Sequence, residues 1–149
     1  MARYITDAEY SLSNKAVLMK KILSPDKASV LLRCGDGYSE RANCALALSN
    51  YLSDKFGLPY VSVCVKEMKR KKNGKAEVHG LYDPNTKGIT IYNLTAVKGN
   101  PISIGQFFDT LLHEYMHHYD RYALHLYNSP HTKGFYLRVA ELKNRLTTP

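Results

Sequence analysis

The chain has 149 residues, 44% of them hydrophobic, and a formal charge of +8 at pH 7. That length suits a single domain, residues 1–149, with one core, and no apolar run approaches the roughly 18 residues that a membrane span needs. The opening stretch MARYITDAEYSLSNK lacks the apolar centre of a signal peptide, so the expected location is the cytoplasm, or a host cytoplasm if the source is viral.

Thr6-Asp7-Ala8-Glu9 has the pattern of a capping box and predicts a helix running to about Leu23, broken by Ser24-Pro25-Asp26. Cys34-Gly35-Asp36-Gly37 reads as a loop. A second helix is predicted from about Ser39 to Phe56, with Ala42, Ala45, Leu46, Ser49 and Leu52 at helical spacing and Gly57 and Pro59 closing it. Cys34, Cys44 and Cys64 are odd in number and far apart, which fits buried free thiols in a reducing compartment better than a disulfide framework.

Three strands are predicted next, at about 60–69, 75–82 and 88–93. Between the first two lies KEMKRKKNGK, residues 66–75, with six basic residues and one Glu. Asn73-Gly74 is a strong two-residue hairpin signal, which gathers Lys66, Lys69, Arg70, Lys71, Lys72 and Lys75 about one hairpin. A cationic finger of that kind suits nucleic-acid phosphates, bound by counterion release. It also suits an acidic protein substrate, or simple protection of a strand edge. His79 reads as a packing or surface residue.

A long helix follows, opened by Ser103 as N-cap and stopped at Asn128-Ser129-Pro130. Ile104, Phe107, Phe108, Leu111, Leu112, Tyr115, Tyr119, Tyr122 and Leu126 form its apolar stripe. His113-Glu114-Tyr115-Met116-His117 lies inside it and reads H-E-x-x-H. Histidines four apart share a helix face and can grip one Zn²⁺, while the Glu between them is free to act as general base on water at the metal. With six His and six Glu in the chain, chance alone gives such a match in roughly 1% of cases. His118 and His125 fall at the margin of the stripe and are read as packing residues. Asp120, one turn beyond His117, is either an orienting carboxylate for a ligand imidazole or a solvated helix residue.

Catalytic zinc usually has three protein ligands and one open position. The longer H-E-x-x-H-x-x-G-x-x-H pattern is absent. His131 opens the segment that leads into a last helix, running to about Leu146, and is well placed to reach back to a metal on the preceding helix. Glu141, in the middle of that last helix, is the alternative third ligand.

HEYMHHYD, a short spacer, and then His131 followed by Phe135 resemble the SprT-like (Spartan-type) zinc metallopeptidases, which include proteases that degrade DNA–protein crosslinks. The resemblance covers about residues 80–145. Thr132 stands where that family usually has Gly, and no C-terminal C-x-x-C ribbon is present. The resemblance implies one Zn²⁺ held by His113, His117 and His131, with Glu114 as catalytic base and a protein as substrate. A neighbouring group, the ImmA/IrrE-like regulatory peptidases, uses H-E-x-x-H with a downstream Glu, and under that reading Glu141 is the ligand and a repressor or toxin partner the substrate. A reading from another class is an inactive zincin fold that binds DNA through the hairpin. The order of elements predicts an α+β, zincin-like fold, with a small three-stranded antiparallel sheet packed against the H-E-x-x-H helix and flanking helices.

Overall fold

The computed structural model describes residues 5–73 and 76–148, with the side chains of 71–73, 76 and 77 outside that description. The chain is a mixed α and β structure. Helix α1 spans Asp7–Lys15, α2 Pro25–Leu32, α3 Tyr38–Phe56, α4 Ile104–Ala123 and α5 Lys133–Thr147; strands are β1 Ser62–Lys69, β2 Lys71–Asn73, β3 Ala76–Val78, β4 Gly80–Asp83 and β5 Gly88–Leu94. No helix of the described residues is long and apolar enough to cross a membrane.

The expected first helix is shorter than its pattern predicts. Thr6 and Glu9 form the capping box, but α1 ends at Lys15 and Ala16 is extended. Distant donors satisfy the carbonyls that a longer helix would have bonded internally: Arg138 bonds Ser13 O and Ala16 O, and Arg145 bonds Leu18 O and Met19 O. Leu18 and Leu23 are buried along the extended stretch. Pro25 then starts a helix instead of only breaking one, because the missing N–H at the first position costs nothing there. Helix α3 closes at Gly57, whose φ of 68° is left-handed.

The sheet is mixed, not antiparallel. Its order is β1-β5-β4, with β1 parallel to β5 (Val63 opposite Ile89, Val65 opposite Ile91) and β4 antiparallel to it (Gly80 opposite Ile91, Tyr82 opposite Ile89). On either side of the Asn73-Gly74 signal, whose Gly74 lies outside the described residues, β2 and β3 do pair antiparallel, but as a separate two-stranded ribbon. The strand expected at 75–82 divides at His79 into β3, which belongs to the ribbon, and β4, which belongs to the sheet. Strand β5 therefore fills the centre, with Ile89, Ile91, Tyr92 and Asn93 buried, and β4 is left as an edge.

Helix α4 lies at the centre of the molecule. Phe107, Phe108, Leu111, Leu112, Tyr115, Met116 and Tyr119 all enter the core, with Ile89 and Ile91 of the sheet and Phe135, Leu142 and Leu146 of α5. The expected amphipathic helix is thus buried on most of its circumference. It also stops before Asn128: His125 takes a φ of 57° and Leu126 N–H bonds back to Asp120 O at 3.0 Å. This reversal turns residues 124–131 back toward the helix they have just left.

Candidate metal centre

The reversal at His125 brings His131 over the histidines of α4. His131 Nε2 lies 3.2 Å from His113 Nε2 and 3.0 Å from His117 Nε2. The three rings thus offer nitrogens that all lie within 4.8 Å of one another, close enough to hold one metal ion. His113 and His117 are half-buried and His131 is exposed. Glu141 is outside this group; its carboxylate bonds Arg145 one turn along α5.

Local structure explains the approach. Thr132 caps α5 by accepting Phe135 N–H at 3.0 Å, and its hydroxyl also meets Ser13 Oγ at 3.0 Å. Gly134 N–H donates to Asn14 Oδ1 at 3.1 Å, and a Cβ at Gly134 would fall 2.4 Å from Ser13 O, so α5 starts in direct backbone contact with α1. His131, immediately before this cap, has little freedom to move away. Phe135 is fully buried beneath the cluster. Its ring centroid is 5.0 Å from that of His113, 4.8 Å from His117 (stacked) and 5.1 Å from His131.

Burial drives the electrostatics. It pushes His113 down to about 4, helped by His131 and His79, and His117 down to about 3, helped by His113 and His131. Both rings are therefore neutral at pH 7, which is the form that binds metal. Burial alone pushes the Glu114 carboxyl up to about 7. Glu114 is 6% exposed and lines the same cleft.

His118, next to His117, is not available to the cluster. A carbonyl can only accept, so His118 Nε2–H donates to Pro59 O at 2.8 Å and the neutral ring takes the Tyr82 hydroxyl at Nδ1, 2.6 Å away. Asp120 does not face the cluster's ring nitrogens either. It is fully buried and accepts from Arg138 and from Ser129 Oγ (2.7 Å). Ser129 belongs to the segment that carries His131, so Asp120 acts on the site by holding that segment down. Arg138 and Ser129 carry no local sequence signal for this.

Two hollows open on the cluster. One, of about 710 Å³, is bounded by Leu81, Tyr82, Arg121 and Tyr127; the other, of about 580 Å³, by Arg70, His79, Thr110 and Tyr136. Both reach His113, Glu114, His131 and Gly80. Gly80 marks where edge strand β4 presses on α4: a Cβ there would lie 2.7 Å from Thr90 O, 2.9 Å from Thr110 Cγ2 and 3.4 Å from Glu114 Cγ. A glycine inside a predicted strand is the sequence sign of such an approach.

The basic residues separate. Lys66 and Lys69 are exposed on β1, ahead of the ribbon. Arg70 is buried and turns inward, its Nη2 3.4 Å from Thr110 Oγ1 on α4. Lys71 and Lys72 are on β2, and Lys75 lies outside the described residues.

Known protein families, curated proteins and solved structures were each compared with this chain, and none matches it.

Proposed function

We propose that this chain is a zinc-dependent metallopeptidase of the SprT-like kind. One observation carries the proposal: three imidazole nitrogens converge beside a buried carboxyl whose titration lies near neutrality. In a tetrahedral zinc site with Zn–N of about 2.0–2.1 Å, two ligand nitrogens are about 3.3–3.4 Å apart. The 3.2 and 3.0 Å separations here are close to that edge. A neutral all-imidazole donor set also suits zinc and leaves a fourth position open.

A bound zinc supplies Lewis acidity to the scissile carbonyl and to water. Glu114 takes a proton from the attacking water and delivers it to the amine nitrogen as the C–N bond breaks; a carboxyl near pH 7 suits both transfers. Phe135 closes the floor of the cluster to solvent. Tyr136, whose ring is 5.9 Å from His131 and 6.2 Å from His113 and which lines the second hollow, is the phenol we assign as donor to the developing oxyanion. Edge strand β4, paired on one side only among the described residues, is the strand to which an extended substrate would add.

The placement of Glu141 on Arg145 favours the three-histidine site over the His-His-Glu alternative. Proteins associated with DNA are the proposed substrates. The charge of +8 supports this, as do Lys71 and Lys72 on β2 of the ribbon, whose β3 end supplies Val78 and the following His79 to the second hollow.

The test is elemental analysis beside peptide hydrolysis. Near one zinc per chain is expected, lost with His131→Ala and kept with Glu141→Ala, while Glu114→Gln keeps zinc and loses turnover. Zinc loss with Glu141→Ala alone, or normal turnover by Glu114→Gln, refutes the reading. Duplex DNA binding that is lost on replacing Lys66, Lys69, Lys71 and Lys72, and that weakens steeply with salt, tests the partner.

A further inference from the structure

His113, His117 and Arg121 stand at positions i, i+4 and i+8 of α4 and form one row along the larger hollow. The third member is an arginine whose backbone position is about 6 Å along the helix axis from that of His117. It is half-buried. Its Cζ lies 4.9 Å from the Tyr127 ring centroid. Stacking covers one face of the planar group and leaves its N–H donors free in the plane. Among the described residues Arg121 has no carboxylate within ion-pair distance; the acidic partners there serve Arg138, Lys143 and Arg145. The same hollow is also lined by Leu81, Tyr82, Pro84 and Pro130. A short apolar stem ending in a carboxylate fits that combination. Successive residues of an extended peptide are about 3.3 Å apart, so about 6 Å corresponds to two residues.

We propose that Arg121 determines specificity in this cleft by pairing with an acidic side chain of the substrate about two residues from the scissile bond. This rests on the peptidase reading. Arg121 also lies in the last turn of α4, where any cation complements the helix end. That structural role is indifferent to the substrate, which separates the two.

The experiment uses the zinc-loaded protein and peptides that differ only by Glu or Gln, two residues to either side of the cleaved bond. At one of those positions the Glu peptide should have kcat/KM about tenfold higher or more, as for a charged hydrogen bond. Arg121→Gln should bring the ratio near one, and Arg121→Glu should shift preference toward Lys at the same position. Equal cleavage of both peptides by the unaltered protein, or a preference that survives Arg121→Gln, overturns the proposal while leaving the peptidase reading standing. Anisotropy of the same peptides with zinc-loaded Glu114→Gln protein covers the converse. An Arg121-dependent preference in binding, with no cleavage by the unaltered protein, supports acid recognition and removes the peptidase reading. Arg121-dependent binding of a single-stranded oligonucleotide, with no Glu preference among peptides, overturns the proposal in favour of a phosphate ligand.

Discussion

Both carboxylate oxygens of Asp120 accept from Nη2 of Arg138, at 3.0 and 2.8 Å, and the two side chains are 0% and 1% exposed. The same guanidinium bonds the carbonyls at the end of α1, and the same carboxylate holds Ser129. One buried pair therefore joins α1, α4, α5 and the segment that delivers His131. Arg138→Met should strand the Asp120 carboxylate in the interior and cost about 3–5 kcal/mol in denaturant unfolding. The double variant Asp120→Leu with Arg138→Met should recover much of that loss. A single-variant cost below about 1 kcal/mol would contradict the assigned role.

Protein stripped of metal by a chelator should show the Glu114 carboxyl in its stability. Burial raises this group from 4.5 to about 7. The folded state therefore keeps a proton that the unfolded chain has lost. Its contribution is fully present below about pH 4.5 and is lost as pH rises to about 7. His113 and His117, lowered from 6.5 to about 4 and about 3, act the other way: their contribution is present above pH 6.5 and is lost as pH falls. Glu114→Gln removes only the first effect. The metal-free variant should gain on the unaltered protein steadily from pH 5 to pH 8, by about 2–3 kcal/mol at the upper end. A stability difference independent of pH would show that Glu114 titrates normally.

The motif helix was legible in the sequence because its signals are local: the Ser103 cap bonds Gln106 N at 3.1 Å, and the histidine spacing is set by the helix itself. His131 was legible through its place ahead of a returning helix. The sheet topology was not. A hairpin signal at Asn73-Gly74 describes four residues, whereas the pairing of β1 with β5 joins segments more than twenty residues apart and has no local sign. The length of α1 was hidden for the same reason, since Arg138 bonds a carbonyl of its last turn, and Arg145 the carbonyls of the extended stretch beyond it, from the far end of the chain. Asp120 had a helix position in the sequence but no visible partner, and Arg70 looked like its basic neighbours until the fold turned it inward.

Phe135 touches the rings of His113, His117 and His131, and its side chain has no polar atom. Its contribution is to fix ring orientation and exclude water. Phe135→Leu keeps the site apolar but loses the flat surface against His117. Zinc affinity should fall by about 10–100-fold, the range for loss of groups that orient metal ligands, with a modest stability cost of about 1–2 kcal/mol. Competition with a chromogenic chelator measures the affinity. Unchanged affinity in a folded variant would mean that the cap at Thr132 and the α1 contact at Gly134 position His131 without help.

Gly80 sets the distance between edge strand β4 and Glu114. The Cβ of Gly80→Ala would meet Thr90 O at 2.7 Å and Thr110 Cγ2 at 2.9 Å. The first is backbone of the central strand and cannot rotate away, so β4 must shift away from β5, while the Thr110 contact pushes it outward from α4. None of the three histidines is on β4, so zinc should be retained. Substrate held on the displaced strand would sit too far from Glu114, and an error of about 1 Å can lower kcat/KM by about 100-fold. Adding Thr110→Ser removes the Cγ2 contact and should restore part of the loss, because the Thr90 contact remains. Full zinc content with severely reduced turnover, partly relieved in the double variant, is the expected result; unaltered turnover in Gly80→Ala would show that substrate does not depend on the position of β4.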